Sequence, residues 1–62
     1  MADDALRALV HDLRAPLTVV EGFSDLLARR AGELAATERD EYLGRIAAAA
    51  REMRELLDRA GA

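Results

Sequence analysis

The feature that most constrains this 62-residue chain is a pair of apolar stripes at helical spacing, separated by a single break. In the first segment the stripe positions alternate steps of four and three residues, which makes a heptad repeat. They are Leu6, Val10, Leu13, Leu17, Val20, Ser24, Leu27 and Ala31. The second stripe recurs at Tyr42/Leu43, Ile46, Ala49/Ala50, Met53, Leu56/Leu57 and Ala60. The pattern predicts an all-α chain of two amphipathic helices.

The width of the first stripe is typical of a bundle helix. Heptad position a holds Val10, Leu17 and Ser24, and position d holds Leu6, Leu13, Val20 and Leu27. Position g is also apolar, with Leu9, Pro16 and Phe23. Three apolar rows are more than the two-row seam of a simple coiled coil, so the helix is expected to contact more than one neighbour.

Local signals predict the ends of the first helix, which is expected over about residues 3–31. Asp3 or Asp4 is a suitable N-cap, and its negative charge is favourable at a helix N-terminus. The predicted stop is Gly32, because glycine readily adopts the left-handed conformation of a C-terminal cap.

The second helix is expected over about residues 38–60, after a connector over about residues 32–37. Thr37 is the predicted N-cap, accepting a hydrogen bond from the amide of Asp40, and Asp40 replaces the usual capping-box glutamate. A connector this short favours two antiparallel neighbours. The expected fold of the single domain 1–62 is therefore an antiparallel two-helix hairpin.

A hairpin of this size is expected to dimerise. Each broad stripe would cover one neighbouring helix and leave its other flank in water, whereas two paired hairpins close both flanks. The chain has no cysteine, so disulfides cannot supply the missing stability. Below roughly 70–80 residues, one core rarely suffices without such a staple or a partner. We therefore expect a parallel homodimer of hairpins forming a four-helix bundle.

Composition excludes several classes of function. The net charge is −3, and one Phe and one Tyr provide no basic aromatic surface, so nucleic-acid binding is not expected. No apolar run reaches the roughly 18 residues of a membrane span, so no direct membrane contact is expected. One histidine beside one aspartate cannot complete a metal coordination shell, so no metal site is expected.

One short segment off the apolar stripe carries recognisable chemistry. The only histidine, His11, falls at heptad position b, and Asp12 follows at c. The segment reads His11-Asp12-Leu13-Arg14-Ala15-Pro16-Leu17. It resembles the H-box of histidine kinases, in which a phosphoacceptor histidine precedes an acidic residue, Leu, Arg, a variable position, Pro and Leu. The resemblance continues over residues 22–27, 42–46 and 53–58, and is closest in kind to the phytochrome-type and hybrid-kinase branch.

The resemblance implies a role for each polar residue of the H-box. His11 would accept the phosphoryl group, and Asp12 would act as general base or electrostatic partner of its ring. Arg14 would contact phosphate or the surface of a catalytic domain, with a salt bridge at the bundle rim as the alternative. Pro16 has no backbone amide hydrogen to donate and is expected to bend the helix after the histidine. Ala15 stands where many relatives carry Thr or Asn, which puts phosphatase activity in doubt.

The same resemblance implies partners that this chain lacks. The sequence contains no nucleotide-binding loop, and no cofactor is expected in this chain. ATP and Mg would be supplied through a separate ATP-binding kinase domain. The phosphoryl group would pass to a response-regulator receiver domain. The location implied is cytoplasmic, including the cytoplasmic part of a membrane-anchored sensor. Two alternatives remain open: a non-catalytic dimerisation module with a vestigial H-box, and an unrelated or antitoxin-like helical interaction module.

Overall fold

The computed structural model describes residues 2–61 and forms an antiparallel hairpin of two α-helices. Helix α1 spans Ala2–Arg30 and helix α2 spans Ala36–Gly61. The hairpin measures 49 × 17 × 10 Å along its principal axes, so it is a rod. The predicted all-α hairpin is confirmed.

Helix α1 continues through its internal proline. Asp3 and Asp4 lie in its first turn, and Arg29 and Arg30 in its last, so both ends carry charges that complement the helix dipole. Pro16 is buried, and the helix runs on for fourteen residues beyond it to Arg30. Because proline has no amide hydrogen, the carbonyl of Asp12 loses its usual helical donor at this turn.

Helix α1 ends differently from the prediction. The carbonyl of Arg30 accepts hydrogen bonds from the amides of Glu33 at 2.9 Å and Leu34 at 3.2 Å. No glycine among the described residues has a positive φ, so the left-handed cap predicted at Gly32 is wrong. These two bonds already occupy the carbonyl of Arg30, and the chain enters the connector without a positive φ among the described residues.

Helix α2 begins two residues before the predicted start. The carbonyl of Ala35 accepts the first helical bond from the amide of Arg39 at 3.0 Å, which makes Ala35 the N-cap. In return, Oε1 of Glu38 accepts a hydrogen bond from the amide of Ala35 at 3.0 Å. The prediction of Thr37 as N-cap is therefore wrong. Glu38 has the length to reach back three residues, and Thr37 lies inside the first turn.

The two helices pack in a fixed register. The rings of Phe23 and Tyr42 lie 5.1 Å apart between centroids, at a tilt of 38°. Antiparallel helices advance equally in opposite directions along the long axis of the hairpin. A residue of α1 and a residue of α2 at the same height along this axis therefore have numbers that add to about 65. Two residues are buried in the part of the chain whose burial is described, Pro16 and Ala49; they obey this register and mark the centre of the contact. Half-buried residues extend the contact on both sides: Leu9, Leu13, Val20, Phe23, Leu26, Leu27, Tyr42, Ile46, Met53 and Leu56.

The intrachain contact leaves a second apolar face in solvent. It uses positions d and g of α1 from Leu9 onward, whereas Leu6 and the position-a residues Val10 and Leu17 stay 60%, 44% and 46% exposed. We call this the open face; it contains Leu6, Val10, Leu17, Leu43, Ala50 and Leu57. The chain exposes 4891 Å², whereas a compact monomer of 6.8 kDa exposes about 4,000 Å². One hairpin therefore covers only part of its apolar surface.

Candidate functional site

His11 lies on the side of α1 that faces away from α2. Its side chain is 86% exposed, as position b of the heptad predicts. The position-g and position-d residues on either side of it, Leu9 and Leu13, are turned inward and fix the rotation of the helix. The helix turn that carries His11 therefore packs on α2 through its neighbours, while the ring itself remains accessible to a second protein.

The ring of His11 contacts the neighbouring carboxylate. Nδ1 of His11 lies 3.2 Å from Oδ1 of Asp12, and the Asp12 side chain is 53% exposed. An ionised carboxylate can only accept hydrogen bonds, so this contact favours the tautomer with its proton on Nδ1. In that tautomer the Nε2 atom carries a lone pair that points away from the carboxylate. One edge of the ring thus contacts Asp12, while most of the side chain is open to solvent.

Arg14 lies one turn after His11 on an exposed part of α1. Within residues 2–61 its guanidinium forms no ion pair, so the rim salt bridge is absent from the single hairpin. Its carbonyl accepts a hydrogen bond from Oγ1 of Thr18 at 2.9 Å, in the turn that contains Pro16. Bonds of this kind often bend helices, so Thr18 and Pro16 both favour curvature just after His11.

An apolar depression of about 250 Å³ lies between His11 and the hairpin connector. Its lining residues all belong to α1: Thr18, Val19, Gly22, Phe23 and Leu26. A Cβ atom built on Gly22 meets nothing within 4 Å, so packing within the chain does not require a glycine there. Sequence reasoning did not identify this surface. Its signal is the apolar character of Val19 and Leu26 at position c, next to the position-g residue Phe23.

Among residues 2–61, no three His, Asp or Glu side chains come close enough to share a metal ion. None of the helices in the described range is long and apolar enough to span a bilayer.

Comparison with known families identifies this hairpin. The profile of the His Kinase A (phospho-acceptor) domain matches residues 1–60, which is nearly the entire chain. Neither the curated proteins nor the solved structures gave a significant match. The match includes the exposed histidine, its neighbouring carboxylate and both helices of the hairpin. The chain belongs to the His Kinase A (phospho-acceptor) domain family of histidine kinases.

Proposed function

We propose that this chain is the phosphoacceptor and dimerisation module of a two-component sensor histidine kinase. His11 takes the γ-phosphoryl group of ATP and passes it to an aspartate of a response-regulator receiver domain. The observation that carries this proposal is the contact of His11 Nδ1 with Asp12 at 3.2 Å, on a ring that is 86% exposed. ATP and Mg²⁺ are held by a separate ATP-binding kinase domain.

The two ring nitrogens have different tasks in the transfer. The lone pair of Nε2 forms the bond to the γ-phosphorus, the bond from that phosphorus to the bridging oxygen breaks, and ADP leaves with its electron pair. Positive charge then develops on the ring, and the Nδ1 proton becomes more acidic. Asp12 accepts the hydrogen bond from Nδ1 and stabilises this charge. Arg14, which forms no ion pair with the described part of the chain, supplies a cation for the phosphoryl group or for a docking domain.

Onward transfer requires a receiver domain to reach His11. The apolar depression lined by Val19, Gly22 and Leu26 lies on the connector side of the histidine, where a receiver has access to both the ring and the helix surface. Ala15, next to His11 on this side, offers no hydroxyl or amide to hold a water molecule. Dephosphorylation of the receiver by this module is therefore expected to be weak. The resemblance over residues 22–27, 42–46 and 53–58 supports the phytochrome-type and hybrid-kinase branch as part of this proposal.

Dimerisation is the second part of the proposal. The open face places exposed leucines on both helices, including Leu17, Leu43 and Leu57. Exposed apolar faces of this kind mark interaction surfaces. A second copy of the same hairpin buries that face on both chains at once and yields a four-helix bundle. The proposed location is the cytoplasm, where ATP and receiver domains are available.

The proposal is tested by following the phosphoryl group. The chain is mixed with the ATP-binding domain of a histidine kinase and radiolabelled ATP, then with a receiver domain. The expected label on the chain is labile in acid, stable in base and lost as the receiver gains it. The natural phosphoacceptor domain of the same kinase, labelled under the same conditions, serves as the positive control. A chain that dimerises but stays unlabelled, beside a labelled control, would establish the alternative of a non-catalytic dimerisation module with a vestigial H-box.

A further inference from the structure

We infer that the second copy of the chain completes the phosphoacceptor site, by placing its own Arg54 beside His11. The inference rests on the proposed homodimer. Arg54 is exposed on α2 and forms no ion pair within residues 2–61, so its guanidinium is accessible to a second chain. The case depends on the height, the side and the charge of this residue.

The register of the hairpin sets the height. Phe23 and Tyr42 are level, and their numbers add to 65. The groove lined by Leu9 and Leu56 obeys the same sum at the other end of the hairpin. By this register His11 is level with Arg54. A two-fold axis along the bundle keeps heights unchanged, so Arg54 of the partner subunit is also level with His11.

The open face sets the side. Arg54 follows Ala50 by four residues and precedes Leu57 by three, so it borders the open face of α2 on the edge away from its own α1. On α1, Arg14 borders the open face in the same way, since it follows Val10 by four and precedes Leu17 by three. His11 lies in the next row beyond Arg14.

In a bundle closed by the open faces, each α1 lies between its own α2 and that of the second copy. The edge of α1 that carries Arg14 and His11 then meets the edge of the neighbouring α2 that carries Arg54. Packed helices lie about 8–10 Å apart, a gap that an arginine side chain can span. Within one hairpin, by contrast, His11 and Arg54 are turned away from each other.

The charges around His11 fit an incoming phosphoryl group. Asp12 contacts Nδ1 on one side of the ring. On the other side, Arg7 and Arg14 of the same helix have no ion-pair partners within residues 2–61. Arg54 of the partner subunit adds a third guanidinium, which can donate paired hydrogen bonds to phosphate oxygens. The carboxylate thus stabilises the ring, and the guanidinium contributed by the second copy stabilises the phosphoryl group.

Mixed dimers test this assignment directly. The phosphodonor is phosphoramidate, which transfers its phosphoryl group to Nε2 and releases ammonia, so no kinase domain is needed. In each mixture, a chain with His11 is combined with a large excess of a His11→Gln chain, so that nearly every His11 lies in a mixed dimer. Arg54→Gln is then placed either in the chain with His11 or in the excess chain. Both mixtures contain the same substitutions and differ only in their arrangement.

We expect labelling of His11 to fall about tenfold when Arg54→Gln lies in the excess chain, the effect of losing one charge-assisted hydrogen bond. Labelling should match the reference mixture, which lacks Arg54→Gln, when that change lies in the chain with His11. Arg54→Lys in the excess chain should restore part of the rate, because it restores the charge.

Equal labelling in the two arrangements, or a loss that follows the copy carrying His11, overturns the inference while the proposed function stands. Sedimentation equilibrium and circular dichroism on the same mixtures confirm that each variant remains a helical dimer. A reference mixture that stays unlabelled, beside a control histidine phosphotransfer protein that phosphoramidate labels, or a chain that stays monomeric, overturns the proposed function and this inference with it.

Discussion

At position 11 the imidazole presents its two nitrogens to different surroundings. Nδ1 lies 3.2 Å from a carboxylate oxygen of Asp12, and the rest of the ring faces solvent on a side chain that is 86% exposed. A histidine that attacks phosphorus needs this division. One nitrogen must be free to form the bond to phosphorus, while a hydrogen bond from the other stabilises the positive charge that develops on the ring. Asp12 can contact the ring because it directly follows His11 and both side chains are exposed.

Asp12→Asn separates charge from shape at this site. Asparagine keeps the size of the side chain but loses the charge that stabilises the imidazolium. Phosphorylation of His11 by a kinase domain and ATP should therefore slow by roughly 10²–10⁴-fold, while helicity is retained. Asp40→Asn, in the first part of α2, removes the same charge far from His11 and should leave the rate unchanged. Equal rates for wild type and Asp12→Asn would remove Asp12 from the mechanism.

Ala15→Thr tests the division between kinase and phosphatase reactions. Ala15 lies one turn after His11 and is exposed, so a larger side chain fits without disturbing the hairpin. We expect labelling of His11 to stay within about twofold, and dephosphorylation of a receiver to increase as the hydroxyl positions a water molecule. Both rates are measured on one preparation. A large loss of His11 labelling would show instead that position 15 belongs to the kinase geometry.

At the scale of the elements, the apolar periodicity predicted both helices but not their ends. Heptad rows are set by many residues at once, so one error in assignment changes little. A helix end depends on a single hydrogen bond, and several residues compete to make it. Thr37 and Gly32 both have suitable chemistry, yet Glu38 caps α2 through the amide of Ala35, and Arg30 closes α1. The composition of the connector does not distinguish these outcomes.

Ala35→Ser tests the corrected start of α2. The N-cap position is occupied by alanine, which has no side-chain acceptor for the free amides of the first turn. A serine there completes a capping box with Glu38, and should raise the free energy of unfolding by about 0.5–2 kcal/mol. Thr37→Ala is the matched comparison and should stay within about 0.5 kcal/mol of wild type. Urea unfolding followed by circular dichroism measures both. A larger loss from Thr37→Ala than gain from Ala35→Ser would restore Thr37 as the cap.

At the scale of the whole molecule, we propose that the hairpin is one half of a dimer. The heptad pattern predicted which apolar residues lie on the contact side of each helix. It did not divide them between the intrachain contact and the open face. That division follows from the rotation of each helix, which depends on packing at Pro16, Ala49 and the Phe23–Tyr42 pair. The position of Arg54 level with His11 was equally hidden, because the sequence shows only a charged residue on a solvated helix face and the register supplies its position along the hairpin.

Leu17→Asp tests whether the open face is the dimer interface. Leu17 is 46% exposed in one hairpin, so a carboxylate there costs little until a second copy covers it. Burying that unpaired charge should weaken dimerisation by about 100-fold or more. Val19→Asp introduces the same charge at a residue that is 37% exposed on the opposite side, and should leave the dimer intact. Sedimentation equilibrium distinguishes them; equal dissociation constants would contradict the assignment of the open face.

The central claim, that His11 carries the phosphoryl group, is tested most directly by the amount of acid-labile phosphate bound per chain in wild type and in His11→Gln. Both are incubated with the same kinase domain and ATP. The wild type should approach one phosphate per chain, and the variant should bind none while remaining helical and dimeric, because position 11 lies outside both contact faces. Phosphate bound equally by His11→Gln, or absent from the wild type while a control substrate is labelled, would contradict the claim.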